Sequence, residues 1–599
     1  MTDTADEGVA MLGNRFRAFA TTVSILLFVG IATPPIVNSS SLSFSTQVEP
    51  LEAEPQSLTS NTYDVIIKNG RIIDGAGNPW VSGDLAIQGD RIVAMGRFDG
   101  VKAKRVIDAS GLVVSPGFID MLGQSEMALL IDNRALSKLS QGITTEITGE
   151  GASIAPQDAF TLSALAPELD HYHLKVDWTT LDGYFARLEK TGTPLNIGTY
   201  VGAAQIREAV LGDADRAPTS EELETMKGLV AQAMQQGAFG LSTALIYPPG
   251  HYAKTDELIE LAKVAAQYGG IYGTHMRSEG QAEIVAIAEA LRIGREAHLP
   301  VEIFHLKVIG KRRWGSMPKL VAMIQAARDS GQDVTADMYP YVAGATSLAA
   351  SLPPWVAEGG LDKLLERLHD PATRSKVKRE MSVEQPAWEN LFLDSGGATG
   401  VLVAGIESGQ LKKFDGQTIA QIASEQKKQP LDALIDLVEG DRAQTGAIYF
   451  VADEDDLQYG LKQPWTSLCL DASEESLDGP LFEPHNHPRA YGSMPRFLGH
   501  YVRDLHMLSL EQAIRKMTSL PAQRERLRER GLLKEGYFAD ITIFDPGSIR
   551  DRATYKNATQ ISEGVKYVFV NGQLEFENGR LTGAAGGRAL RGPGWKQPD

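Results

Sequence analysis

"GGIYGTHMRSEG" at residues 269–280 and "LPVEIFHLKVIG" at residues 299–310 share one layout. Each runs a short apolar stretch into a histidine, His275 or His305, and then into polar residues. Between them, "EIVAIAEALRIGREAH" (283–298) repeats its apolar positions at helical spacing. A strand, a helix and a second strand, each strand ending in a histidine, form a βα repeat, because parallel strands need a long crossover. The rhythm extends in both directions. "GITTEITGEG", "LNIGTYVGA", "AFGLSTALIYPPG", "QDVTADMYPYVAG" and "TSLCLDAS" are further apolar runs that end in polar clusters. That many units predict an α/β fold, a TIM (β/α)8-type barrel over residues 116–530, with its chemistry at the C-terminal strand ends. "LDKLLERLHDPATRSKVKREM" and its surroundings, residues 352–450, break the rhythm and predict an inserted helical subdomain.

The two ends of the chain are written differently. "YDVIIKNGRIIDGAG" reads as two short strands around an Asn69-Gly70 turn, and "GDLAIQGDRIVAMG" as two more around Gly89-Asp90. The same pattern returns in "YFADITIFDP" and "VKYVFVNGQLEFENGR", again with an Asn-Gly turn. Residues 62–115 and 531–585 are therefore expected to pair into one small β-sandwich built from both N- and C-terminal segments. Residues 586–599 are left as a tail.

At 599 residues the chain exceeds one small core, and its composition, 43% hydrophobic and 22% charged, is that of a globular protein. A net charge of -18 with no dense Lys/Arg run argues against nucleic acid as a partner. Cys469 is the only cysteine, so neither an internal disulfide nor a cysteine-based zinc knuckle can form. Arg15 and Arg17 precede the uncharged stretch "AFATTVSILLFVGIATPPIV", and small polar residues follow. This is the order of an export signal over residues 1–37, with the periplasm as destination and residues 38–61 as a Ser/Pro-rich linker. The rival reading is an uncleaved anchor that tethers the chain to a membrane.

Several residues carry candidate chemistry. His275, His305 and Asp471 each follow an apolar run, so in one barrel they share a mouth. Glu150 adds a carboxylate at another strand end. Two neutral imidazoles and a carboxylate make an open zinc shell with a fourth position for water, and Asp471 is placed to move the proton. The His-x-His pairs are elsewhere: His171 and His173 in a connection after "APELD", and His485 and His487 in a Pro/Gly-rich loop, where they are candidates for substrate contact. In many metal-dependent hydrolases the strand that begins "PGFID" ends in His-x-His. Here those places hold Leu122 and Gln124. Leucine cannot bind a metal, so one metal rather than two is expected, with Gln124 free to orient water or substrate.

The stretches "NGRIIDGAGNPW", "PGFID", "GLSTALIYPPGHYAKTDEL", "THMRSEG", "MYPYVAGAT", "HPRAYGSMPRFLGHYVRD" and "LLKEGYFADITIFDP" resemble the N-acyl-D-amino-acid deacylase (D-aminoacylase) branch of the amidohydrolase superfamily. The resemblance spans about residues 62–580. It implies a TIM barrel with a composite β-sandwich and a metal-dependent hydrolase that cleaves a linear amide by deacylating N-acyl-D-amino acids; with the one metal expected from Leu122 and Gln124, the attack would come from a single zinc-activated water. It implies His275 and His305 as zinc ligands and Asp471 as the catalytic aspartate. The family's ligand cysteine is missing from "TGEGAS", so Glu150 is expected to replace it, with Glu146 as the alternative. Lys307, Tyr339 or Tyr341, and Arg489 are implied as contacts for the substrate's α-carboxylate, a chemistry that suits an ammonium, a phenol and a guanidinium. Two other readings stay open: a cyclic-amide or dipeptide hydrolase on the same scaffold, and a metal-free pseudoenzyme that acts as a binding protein.

Overall fold

The computed structural model describes residues 62–596 apart from Pro386, so the leader and linker expected over residues 1–61 lie outside the described residues. No helix among the described residues is long and apolar enough to cross a membrane.

The barrel has eight parallel strands in chain order. They are Phe118–Asp120, Ile143–Thr148, Asn196–Thr199 (running on into Val201–Gly202), Gly240–Ala244, Ile271–His275, Val301–Ile303, Val334–Met338 and Thr466–Leu468. Each pairs with the next in parallel register. The ring closes where the eighth strand returns to the first: Met121 N–H donates to the Leu468 carbonyl at 3.3 Å, and Gly123 bridges Ala472. Helices cover the outside because their apolar positions recur every three or four residues. Glu283–Ala297, for example, buries Ala286, Ile287, Ala290, Leu291, Ile293 and Ala297. Ser220–Gln235 is started by a capping box, in which the Thr219 hydroxyl accepts from Glu222 N–H and the Glu222 carboxylate accepts from Thr219 N–H.

The strands at the two ends of the chain form one nine-stranded mixed sheet. The expected two-layer sandwich is thus a single continuous sheet in its hydrogen bonding. Val113–Pro116 pairs antiparallel with Ile541–Phe544 and joins the halves. One apolar cluster takes Ile67, Leu85 and Ile92 from the N-terminal part and Ile541, Ile543 and Phe569 from the C-terminal part. The hairpins at Gly89-Asp90 and Asn571-Gly572 connect paired strands as expected. Asn69-Gly70 does not: Tyr63–Ile72 is one strand, and the pair is absorbed as a register shift between Ile67 and Gly70. Asn69 takes a left-handed φ of 61°, and its N–H donates to Asp84 at 2.9 Å. Only glycine fits at position 70, since a Cβ there would stand 2.5 Å from Val114 Cγ2.

The interruption between the seventh and eighth strands is not purely helical. Val401–Ala404 and Gly446–Tyr449 lie within residues 352–450 and make a three-stranded antiparallel sheet with Gly344–Ser347. This insertion has its own core, including Leu348, Leu368, Val401, Leu434 and Tyr449. The tail is also engaged: Ala589 bridges Ile197, and Arg591 donates to Asp182 at 2.6 Å.

The barrel seam rests on a buried lysine. Lys138, Asp120 and Glu146 are all fully buried. Lys138 Nζ donates to Asp120 at 2.9 Å and to the Ala472 carbonyl at 2.7 Å, and lies 3.4 Å from Glu146. Asp120 in turn accepts from Leu470 N–H at 2.8 Å. Removing the ammonium would leave two carboxylates unpaired in the barrel wall. Lys138→Met is therefore expected to destabilise the fold by about 3–5 kcal/mol. A lowered thermal midpoint and less soluble protein would show it, and a wild-type melting curve would contradict it.

Candidate metal centre and active site

Glu150 lies just past the second strand, between two glycines in left-handed conformation, Gly149 (φ 90°) and Gly151 (φ 68°). A Cβ on Gly151 would stand 2.5 Å from Ala244, so the turn that presents Glu150 requires glycine there. Ser242, on the fourth strand, pins the turn by accepting from Gly151 N–H and donating to the Gly149 carbonyl. His275 is the last residue of the fifth strand. His305 lies just past the sixth with φ 35°, and Asp471 just past the eighth with φ 52°. Both hold conformations that non-glycine residues seldom adopt. Asp337 accepts from His305 N–H at 2.7 Å, and Leu122 C=O accepts from Asp471 N–H at 2.8 Å.

These turns bring three donor atoms together. His275 Nδ1 and His305 Nε2 lie 3.1 and 3.0 Å from the same Glu150 oxygen, and the rings stand edge to face at 4.4 Å. Glu279 sits behind both. It lies 3.0 Å from His305 Nδ1 and 3.9 Å from His275 Nε2, a buried atom with no hydrogen-bond partner. Burial opposes charge on Glu279, yet Lys307 and the two histidines hold its pKa down at about 2. Burial likewise opposes charge on Glu150, but hydrogen bonds from His275 and His305 keep it well below the usual carboxylate range. His305 is raised well above the usual imidazole range by Glu279, Asp471 and Glu150, against burial and Lys307.

The residues fit zinc. Two imidazole nitrogens and a carboxylate oxygen lie within 4.8 Å of one another, in a field that favours positive charge, and Glu279 backs both rings as an outer carboxylate. Glu146, the alternative ligand, points elsewhere: it accepts from Ser125 N–H at 3.1 Å and lies beside Lys138. A Cβ on Gly123 would fall 1.8 Å from its Oε1, so it packs under the first strand, where only glycine leaves room.

Leu122 is fully buried and Gln124 reaches into the site. The Gln124 amide nitrogen lies 3.2 Å from Glu150 Oε2 and 3.1 Å from Asp471 Oδ1, close enough to donate one hydrogen to each. The other Asp471 oxygen accepts from Arg489. Burial raises the Asp471 pKa from that of an ordinary aspartate, with Arg489 and His305 acting against it.

A cavity of about 530 Å³ opens over these groups and is lined by Lys307, Tyr339 and Arg489 as well. Lys307 is not on a solvated loop; its ammonium bonds Glu279 at 2.7 Å and lies 2.9 Å from His305 Nδ1. The Tyr339 hydroxyl is buried without a partner, and Arg489 lies 4.7 Å above its ring. Tyr341 is set back: it is buried against His487, and its hydroxyl lies 3.4 Å from Pro488 C=O and from Asp551. His487 is a support, its Nδ1 accepting from Arg489 N–H at 3.0 Å and its Nε2 lying 2.9 Å from Ala343 C=O. His171 ends a helix at the surface, and His173 follows in a turn. Sequence reasoning passed over Glu279, four residues after His275, and Tyr247, whose ring stands 5.5 Å from that of His275. It also missed Glu389, which comes from the insertion and accepts from Glu279 N–H at 2.5 Å. No spacing signal links Glu389 to the barrel strands.

Comparison with known proteins places this geometry. The amidohydrolase family model matches residues 477–576. The chain is 35% identical to D-aminoacylase of Alcaligenes xylosoxydans over 89% of its length and 98% of the relative's. It is 36% identical to N-acyl-D-aspartate deacylase of the same organism, over 89% and 97%. A crystal structure of N-acyl-D-glutamate deacylase from Bordetella bronchiseptica, complexed with zinc and a phosphonate mimic of the tetrahedral intermediate, superposes with a TM-score of 0.74. That match has 31% identity and covers 89% of this chain and all of the other. The chain therefore belongs to the D-aminoacylase, or N-acyl-D-amino-acid deacylase, family of the amidohydrolase superfamily, enzymes that act on carbon–nitrogen bonds.

Proposed function

We propose that this protein hydrolyses the amide of N-acyl-D-amino acids with one zinc ion per chain, held by Glu150, His275 and His305. One observation carries the reading: both imidazoles converge on one Glu150 oxygen at 3.0–3.1 Å, and Gln124 spans from that carboxylate to Asp471. Zinc bound there would polarise the scissile carbonyl and lower the pKa of the attacking water towards about 7. Lys307 and the unpartnered Tyr339 hydroxyl are positioned to hold the substrate's α-carboxylate. Arg489 serves chiefly to hold Asp471, and Tyr341 supports the wall behind it. Gln124 and Arg489 fix one oxygen of Asp471 each. The aspartate can take a proton from water and pass it to the leaving nitrogen as the C–N bond breaks. The pattern at residues 15–37 supports export to the periplasm.

Metal analysis of purified protein should find about one zinc per chain, lost in His275→Ala and in His305→Ala; full metal content in both variants would remove the ligand assignment. Asp471→Asn should keep the zinc and lose about 10²–10⁴-fold in kcat, the usual scale for a positioned acid–base group. Because the base must be ionised and its pKa is raised, kcat/KM should fall as pH drops, with the acid limb displaced upward from that of a free aspartate. A flat profile there would assign the proton transfer elsewhere. A release assay over paired N-acetyl-D- and N-acetyl-L-amino acids should show turnover of the D series, and turnover of the L series alone would refute the substrate class.

A further inference from the structure

A second cavity of about 640 Å³ shares the catalytic wall of Gln124, Asp471 and Arg489 with the first. The zinc ligands, Lys307 and Tyr339 line the first cavity and not the second. With the α-carboxylate on Lys307 and Tyr339, the amino-acid half of a substrate occupies the first cavity. The group on the other side of the scissile bond then faces the second.

That second space is lined by Glu407, Glu474, Glu475 and Glu483, with His171 (3.8 Å from Glu407), His485 and His487 also on its wall. Its lysine, Lys412, already donates to the Ile406 carbonyl at 2.5 Å and lies 3.7 Å from Glu483. Arg489 is committed to Asp471. Glu474 is fully buried, and neither of its carboxylate oxygens has a hydrogen-bond partner. Glu475 has one side-chain donor, Asn486 at 2.5 Å. Burial and the Glu483 carboxylate push Glu475 up to about 8, and burial with Asp415 and Glu407 pushes Glu483 to about 7 despite Lys412 beside it. Met127, Ile131 and Leu481 supply an apolar flank. Hydrocarbon walls beside a cavity in which acidic side chains outnumber the one lysine suit a long side chain that ends in a cation.

We infer that the second cavity is an acyl-side subsite for a basic aminoacyl group, so that the substrates include dipeptides in which a lysyl or arginyl residue acylates a D-amino acid. This rests on the deacylase reading and narrows it. The chemistry is the same hydrolysis: water adds to the lysyl carbonyl, the C–N bond breaks, and the proton goes to the departing amine. A fatty acyl chain would place methylenes against this acidic wall and add no favourable charge interaction there.

The test compares three substrates on zinc-loaded full-length enzyme: N-acetyl-D-leucine, L-lysyl-D-leucine and L-norleucyl-D-leucine. Lysyl and norleucyl differ only in the terminal ammonium. The expected result is a kcat/KM ratio of lysyl to norleucyl of about tenfold or more, the scale of one partly desolvated charge pair. The ratio should collapse towards one in the Glu475→Gln, Glu483→Gln double variant, while turnover of N-acetyl-D-leucine is unchanged. Equal or faster cleavage of the norleucyl dipeptide overturns the inference. So does cleavage of N-acetyl-D-leucine with neither dipeptide turned over, which leaves the deacylase reading standing. Failure to hydrolyse any of the three with zinc bound defeats that reading and this inference with it.

Discussion

Lys138 has no access to solvent, and it faces the Asp120 carboxylate, the Ala472 carbonyl and the Glu146 carboxylate at once. This is the tie that closes the barrel. The first and last strands come from opposite ends of the barrel sequence, and the first contributes only three residues. A short ladder needs help to hold its register. Through Asp120 and Leu470 N–H the same tie reaches the residue next to Asp471. The seam therefore also sets the distance from Asp471 to Gln124, on which the proposed proton transfer depends.

The site is built from backbone conformations that its residues would avoid in isolation. His305 and Asp471 both sit at positive φ, and Glu150 is presented between two left-handed glycines. Such positions persist when surrounding bonds over-determine them. Asp337, Leu122 C=O and Ser242 supply those bonds here. Leu122 and Gln124 now have a constructive account. The leucine holds Asp471 through its backbone carbonyl. The glutamine supplies two hydrogen-bond donors between carboxylates that would otherwise repel each other across the mouth of the site.

The inserted subdomain is more than a cover. Glu389 takes the Glu279 N–H, Glu279 backs both histidines and pairs with Lys307, and Ala345 C=O accepts from Arg489. The insertion thereby reaches the candidate metal site and the Asp471–Arg489 pair through main-chain hydrogen bonds. It has its own sheet and its own apolar core, so it can keep its shape while presenting those groups.

The barrel units were legible because strand and helix periods are local, and a histidine at the end of an apolar run stays at the strand end when the run pairs. That is why His275, His305, Asp471 and Glu150 could be named from the sequence. The Asn69-Gly70 pair misled for a local reason as well: the dipeptide favours left-handed backbone, and a bulge within one long strand satisfies that as well as a hairpin does. The tertiary structure alone decided between Glu150 and Glu146, four residues apart, because only the turn between Gly149 and Gly151 aims one at the histidines while Gly123 admits the other beneath the first strand. It alone separated Tyr339 from Tyr341 and brought in Glu389. Those choices turn on which groups face each other across elements far apart in the chain, and no periodicity along the chain records that.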